Sequence, residues 1–265
     1  YLAKKLFKLD VKIISHIHNC YPFLKGNGFN KKIDKYLRNK YDFNITCGKI
    51  VTDFYKENTD YFNENKNLTL SNAMDIDYIT NVDKREIEEV IKKYKIPTNK
   101  KVLGFIGRLD EQKGIIPFIK ELAMYKDEFS DSVILLVGNG SQEDEVRDLV
   151  KKLKLEEMFI LTGFQDNINV FYPIIDVFFL PSLYEGLPMV LLEAMAFKRP
   201  ILSMDVGSIS EVIKDRKTGY LINSGDYNDF IIKLKKLKSD RIAIRKLGEN
   251  AFKYVNKNYN IGRRK

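Results

Sequence analysis

Short apolar runs bounded by Gly, Pro, Ser or Asn recur along the chain, separated by stretches in which apolar residues return every three or four positions. The runs have the length and borders of buried strands: residues 11–17 (VKIISHI), 102–106 (VLGFI), 133–138 (VILLVG), 158–163 (MFILTG) and 176–181 (DVFFLP). Residues 200–213 and 218–222 supply another strand, a turn and a strand-like segment, and residues 41–58 a short strand running into a helix. Residues 68–77 read as a strand. In residues 82–97 the apolar positions Ile87, Val90, Ile91 and Tyr94 share one face, which predicts an amphipathic helix. The last fifty residues read as Lys-rich helices with solvated charged faces. Strands alternating with helices over residues 100–225 predict an α/β fold on a doubly wound parallel sheet, where ligands bind beyond the carboxyl ends of the strands.

The stretch around which this pattern is organised is SLYEGLPMVLLEAMAFKRP, residues 182–200. It follows the strand at 176–181 and starts a helix near Pro188, a residue suited to a first helical turn. The amides of Gly186 and Leu187, with the first free helical N–H beyond Pro188, are expected to face the space above the strand and attract an anion. Glu185 lies on the loop and Glu193 about five residues into the helix, roughly 7–8 Å along its axis. Each carboxylate accepts hydrogen bonds from neighbouring hydroxyls, so this separation lets them hold two parts of one ligand, such as a hexose and a ribose. The competing reading is a pair of solvated acids at a helix end.

A second strand-to-helix loop carries the complementary charge. Gly107 turns the chain after residues 102–106, a helix begins near Gly114, and Arg108 and Lys113 flank the turn. A guanidinium fork and an ammonium converging on one anion suit a diphosphate; two surface cations are the bland alternative. Gly138-x-Gly140 resembles part of a dinucleotide fingerprint, but Glu143 replaces its third glycine. The acids Glu143, Asp144 and Glu145 suit the positive end of the helix dipole and would repel a pyrophosphate there. Those glycines are read as a tight turn near the ligand. Both histidines, His16 and His18, fall at the end of the strand at 11–17, with His18 the favoured ligand contact and His16 the alternative. Asp75-x-Asp77 supplies two carboxylates and no further ligand cluster, so no metal is expected.

These motifs resemble those of retaining GT-B glycosyltransferases of the group 1 type. The resemblance rests on Gly-Arg-Leu-x-x-x-Lys-Gly at 107–114 and the Pro-Ser before the central loop. It also rests on Glu-Gly-Leu-Pro at 185–188 and Leu-Glu-Ala-Met-Ala at 192–196. Leu187 departs from the usual Phe. The resemblance covers about residues 11–255 and implies two Rossmann-like domains. Residues 1–80 would be a partial acceptor-side domain, 81–245 the complete nucleotide-sugar domain, and 246–265 a helix crossing back. It places the chain's start in the second half of the first domain.

The resemblance also implies retaining transfer of a hexose, most often from a UDP sugar, to a hydroxyl of a polysaccharide or lipid-linked glycan. No metal or other cofactor is implied. Glu185 would bind the sugar, Glu193 the ribose, and Arg108 with Lys113 the departing diphosphate. Gly107, Gly138, Gly186 and Leu187 would lie near the donor, with Phe164 and Gln165 by the base and His18 at the donor sugar or acceptor. The favoured implied mechanism is front-face attack, in which a donor phosphate oxygen takes the acceptor's proton. A nucleotide-sugar-binding module without turnover is the alternative.

Composition adds limits. With 265 residues, 44% hydrophobic and 31% charged, the chain can bury a core of one or two domains. It contains no apolar run of membrane-spanning length and no signal-peptide pattern, so a cytoplasmic location is expected. Cys20 and Cys47 fit neither a metal spacing nor a disulfide framework. The formal charge of +9 is concentrated in residues 1–40, where ten Lys or Arg face two Asp. That excess could meet nucleic acid, anionic lipid or only water. Peripheral contact with an anionic membrane is expected, and nucleic acid is not.

Overall fold

A computed structural model describes residues 10–263. The first part is a three-stranded parallel sheet, ordered β1 (Ile14–Ile17), β2 (Phe43–Thr46), β3 (Asn67–Thr69). Between these strands run helices α1 (Phe29–Arg38) and α2 (Lys49–Asn58). The strand expected over 68–77 is thus short. After Thr69 the chain turns, and the Asp75 side chain accepts the N–H of Tyr78 to cap α3 (Ile76–Thr80). Helix α4 (Lys84–Lys93) follows and is capped by Asp83. Its face leads to Tyr94, whose ring packs 6.0 Å from that of Phe171.

The second sheet begins with β4 (Lys101–Ile106), α5 (Ile115–Ala123), β5 (Ser132–Val137), α6 (Glu143–Lys152) and β6 (Phe159–Leu161). It continues with β7 (Val177–Leu180), α7 (Met189–Ala196), β8 (Ile201–Met204), α8 (Ile209–Val212) and β9 (Gly219–Ile222). All six strands are parallel, in the order β6-β5-β4-β7-β8-β9. Every residue of β5, β7 and β8 is buried, as expected of strands covered by helices on both faces. The strand order reverses between β4 and β7, so the loops after these two strands diverge and leave a crevice at their carboxyl ends.

Helices α9 (Tyr227–Ser239) and α10 (Arg241–Asn258) close the chain. The division expected at 245/246 falls inside α10, a single helix capped at its start by Asp240. Beyond it, Asn260 bridges Met74, tying the end of the chain to the exit of the first sheet. The lysines of these helices are not uniformly solvated. Lys238 is 4% exposed, 2.5 Å from Asp131 and over the ring of Phe129.

Candidate active site

Glycine permits the backbone crowding that builds the crevice. Gly138 has a φ of +124°, and a Cβ there would lie 2.1 Å from the carbonyl oxygen of Gly107. Its N–H bonds the carbonyl of Gly163, so the loops after β4, β5 and β6 are stitched into one rim. Gly138 therefore permits a close approach of backbone, and it is not among the residues that line the cleft described below.

Lys113 ends a short 3-10 turn (Glu111–Lys113) after β4, and left-handed Gly114 turns the chain into α5. This path aims Lys113 at the loop after β7, where its Nζ lies 2.6 Å from Oε1 of Glu185. The Ser182 hydroxyl donates to the same oxygen at 2.7 Å. The Gln112 amide donates to the Tyr184 carbonyl at 2.8 Å and faces Oε2 of Glu185 at 3.4 Å. Glu185, 3% exposed, is thus a buried carboxylate surrounded by donors. Arg108 has a different setting: its side chain is 73% exposed, and its guanidinium pairs with Asp110 Oδ2 at 3.2 Å. Arg108, Lys113 and Glu185 line one cleft of about 250 Å3 with Gly107, His18 and Asn19.

His18 and Asn19 form the opposite wall, immediately beyond β1. The His18 ring lies 3.9 Å from that of His16, and burial, then the charge of His16, lower the His18 pKa from its ordinary value. Its imidazole is therefore held towards the neutral form. Asn19 bridges Gly186 in antiparallel fashion.

Not every expected residue reaches the cleft as anticipated. Gly186 and Leu187 line it, and the Leu187 backbone opposes the rise in the Cys47 thiol pKa that burial causes. Pro188 is the N-cap, with an extended ψ of 126°, so α7 starts one residue later than a Pro in the first turn implies. Glu193 lies a turn beyond the cleft-lining residues Met189 and Val190. Its Oε2 accepts the Tyr172 hydroxyl at 2.6 Å, and burial raises its pKa against that bond's lowering effect. Gln165 donates to the Tyr94 hydroxyl and the Thr162 carbonyl, and Phe164 is exposed; neither lines the cleft. Among the described residues, no group of three or more His, Cys, Asp or Glu side chains could hold a metal ion.

Sequence reasoning missed Gln112, Ser182 and Asn19 as parts of this site. Gln112 adjoins Lys113, and Ser182 precedes Glu185 by three residues within one turn, so proximity in the chain was a usable signal. Asn19 meets Gly186 only through the fold. The same holds for Asn72, whose side chain donates to the Leu187 carbonyl at 2.9 Å.

A doubly wound body and a smaller parallel sheet meeting over the switch point, with a cationic cleft between them, match the GT-B glycosyltransferase class. The chain belongs to the family described as glycosyl transferases group 1, whose pattern matches residues 86–254. It is 30% identical over 256 residues to the N-acetyl-alpha-D-glucosaminyl L-malate synthase of Bacillus anthracis, covering 95% of this chain and 65% of that protein. Identity to the UDP-Gal:alpha-D-GlcNAc-diphosphoundecaprenol alpha-1,3-galactosyltransferase of Escherichia coli is 27% over 209 residues, 77% of this chain and 53% of that one. The chain thus spans roughly half to two thirds of the length of these two relatives. The crystal structure of Anabaena HepE with UDP-glucose superposes with a TM-score of 0.85 at 18% identity, covering 98% of this chain and 71% of HepE.

Proposed function

We propose that this protein transfers a hexose, with retention, from a nucleotide diphosphate sugar to a hydroxyl of a polysaccharide or lipid-linked glycan, as in capsule or exopolysaccharide assembly. A UDP sugar is the first donor to test. One observation carries the reading: Arg108 and Lys113 from one strand end and Glu185 from the next line a single cleft at the sheet's switch point.

Lys113 neutralises Glu185 across the cleft. A bound diphosphate would draw Lys113 and the exposed Arg108 onto its oxygens, leaving Glu185 to accept bonds from sugar hydroxyls. The two cations stabilise the charge that develops as the sugar C1–oxygen bond breaks, so no metal is required in this scheme. The acceptor oxygen bonds C1 from the same face, and its proton passes to an oxygen of the departing diphosphate. His18, held towards neutrality, would bond a hydroxyl of the sugar or acceptor. The HepE structure with UDP-glucose and the UDP-Gal donor and diphosphoundecaprenol acceptor in the E. coli relative's name support the substrate class.

Peripheral contact with an anionic membrane belongs to the same proposal. No helix among the described residues is long and apolar enough to cross a membrane. On α1, however, Phe29, Ile33 and Tyr36 share one exposed face, with Phe29 76% exposed, beside Lys32 and Lys40. Co-sedimentation with phosphatidylglycerol vesicles, absent with phosphatidylcholine, is the expected result.

The central test is calorimetric titration with UDP, followed by UDP release from a panel of UDP sugars with membrane extract as acceptor. Binding with turnover and an unchanged anomeric configuration supports transfer. Binding without turnover leaves the nucleotide-sugar-binding module, and no binding of UDP, GDP or ADP sugars overturns both.

A further inference from the structure

Helix α2 starts without a cap of its own. Gly48 precedes it with no side chain to offer, and its first turn holds no acid. The missing acceptor comes from the other sheet: Glu211 on α8 takes the N–H of Ile50 at 2.6 Å on one carboxylate oxygen and that of Lys49 at 3.3 Å on the other. A carboxylate here satisfies two orphan donors at the positive end of the helix dipole. The fit is close, since a Cβ on Gly48 would lie 2.6 Å from Ser208 Oγ and 3.1 Å from Glu211 Oε1.

From this contact, packed groups lead to Glu185 on both sides of the seam. On one side, the Ser208 N–H donates to the Gly186 carbonyl at 2.9 Å, and α10 steadies the Glu211 carbonyl through the Tyr254 hydroxyl. On the other, Cys47, next to Gly48, donates its thiol to the His18 carbonyl at 3.5 Å. His18 in turn leaves no space for a side chain on Gly186, where a Cβ would lie 1.4 Å from the His18 carbonyl oxygen.

We propose that Glu211 is a positioning residue: by capping α2 across the seam, it keeps His18 and Asn19 seated against the Glu185 loop and so completes the cleft. Its effect on catalysis rests on the reading of that cleft as the transfer site. The clasp itself can be read independently, because Cys20 and Cys47 are buried at the seam and burial foremost pushes the Cys20 thiol up to about 12.

The experiment compares the whole chain with Glu211→Ala, Glu211→Gln and Gly48→Val, the last a wedge applied from the opposite side. Thiol alkylation is expected to run about tenfold faster in Glu211→Ala and Gly48→Val, the scale of a lost helix cap. The Lys49 and Ile50 amides should lose exchange protection. Glu211→Gln keeps an acceptor for Ile50 and should restore slow alkylation. UDP affinity should stay within about twofold of wild type while transfer falls about tenfold, because the cations and Glu185 lie outside the clasp. Unchanged alkylation in both opening variants, a Gln variant as reactive as the Ala variant, or parallel loss of UDP affinity and turnover would each overturn the proposal. Failure of the wild-type chain to bind UDP would instead remove the transfer reading, leaving alkylation and exchange to decide the clasp.

Discussion

Lys113 and Glu185 meet at 2.6 Å across the reversal of the six-stranded sheet, with side chains 12% and 4% exposed. Each comes from the loop after a different strand, so the pair ties these two loops together across the cleft. Its desolvation is tolerable because Ser182 and Gln112 add hydrogen bonds to the carboxylate.

Removing either cation should therefore have unlike effects. Lys113→Met leaves a buried carboxylate without its counter-charge and should destabilise the chain by roughly 3 kcal/mol in urea unfolding. Arg108→Ala touches an exposed side chain and should change stability by less than about 0.5 kcal/mol. It should weaken UDP binding by about tenfold, the scale of one charge-assisted hydrogen bond. Calorimetry set beside denaturation curves separates the two residues, and unchanged UDP affinity in the Arg108 variant would take that residue out of the site.

Lys238 offers a control for the argument about buried charge. Like the largely covered Lys113 it is paired with a carboxylate, but its partner Asp131 has a side chain 61% exposed. Lys238→Met should leave Asp131 facing water rather than stranded, at a cost below about 1 kcal/mol. A loss as large as that of Lys113→Met would show that partner exposure is not what decides the cost.

Gly207 supports the Glu185 loop from beneath. Its φ is +56°, and a Cβ would fall 2.0 Å from the Glu185 carbonyl oxygen. Gly207→Ala combines a left-handed backbone with a clash against backbone and should cost about 2 kcal/mol or more. Urea unfolding measures that cost, and an unaltered midpoint would mean the loop relaxes freely.

The repeating strands and helices were legible because a parallel sheet buried on both faces leaves continuous apolar runs such as VILLV and VFFL. Arg108, Lys113 and Glu185 were legible because each follows such a run, where an open sheet presents ligand groups. The effect of the Leu187 backbone on the Cys47 thiol was not, because the two lie 140 residues apart in the chain and meet only across the seam. Glu211 reads from the sequence as structural rather than catalytic, but its partner escaped for the same reason: a Glu in SISEVI carries no local sign that the helix it caps begins at Lys49. Lys238 looked like its solvated neighbours because helical periodicity does not reveal that Asp131 waits beneath it.

Glu193 makes a pH-dependent prediction. Burial raises its carboxyl above the ordinary 4.5 despite the bond from Tyr172, so the folded chain holds this proton to higher pH than the unfolded chain does. Between the ordinary and the raised value the native state binds more protons, and the contribution of Glu193 to stability falls as pH rises through that window. Glu193→Gln keeps an acceptor for Tyr172 and has no charge to desolvate. The variant should therefore unfold at higher temperature than wild type at neutral pH, with the difference closing as pH falls to about 4. If Glu193 also holds the ribose, the same variant should bind UDP more weakly while being more stable. Calorimetric scans across pH, paired with UDP titration, test both, and a stability difference that does not change with pH would show that Glu193 carries no burial penalty.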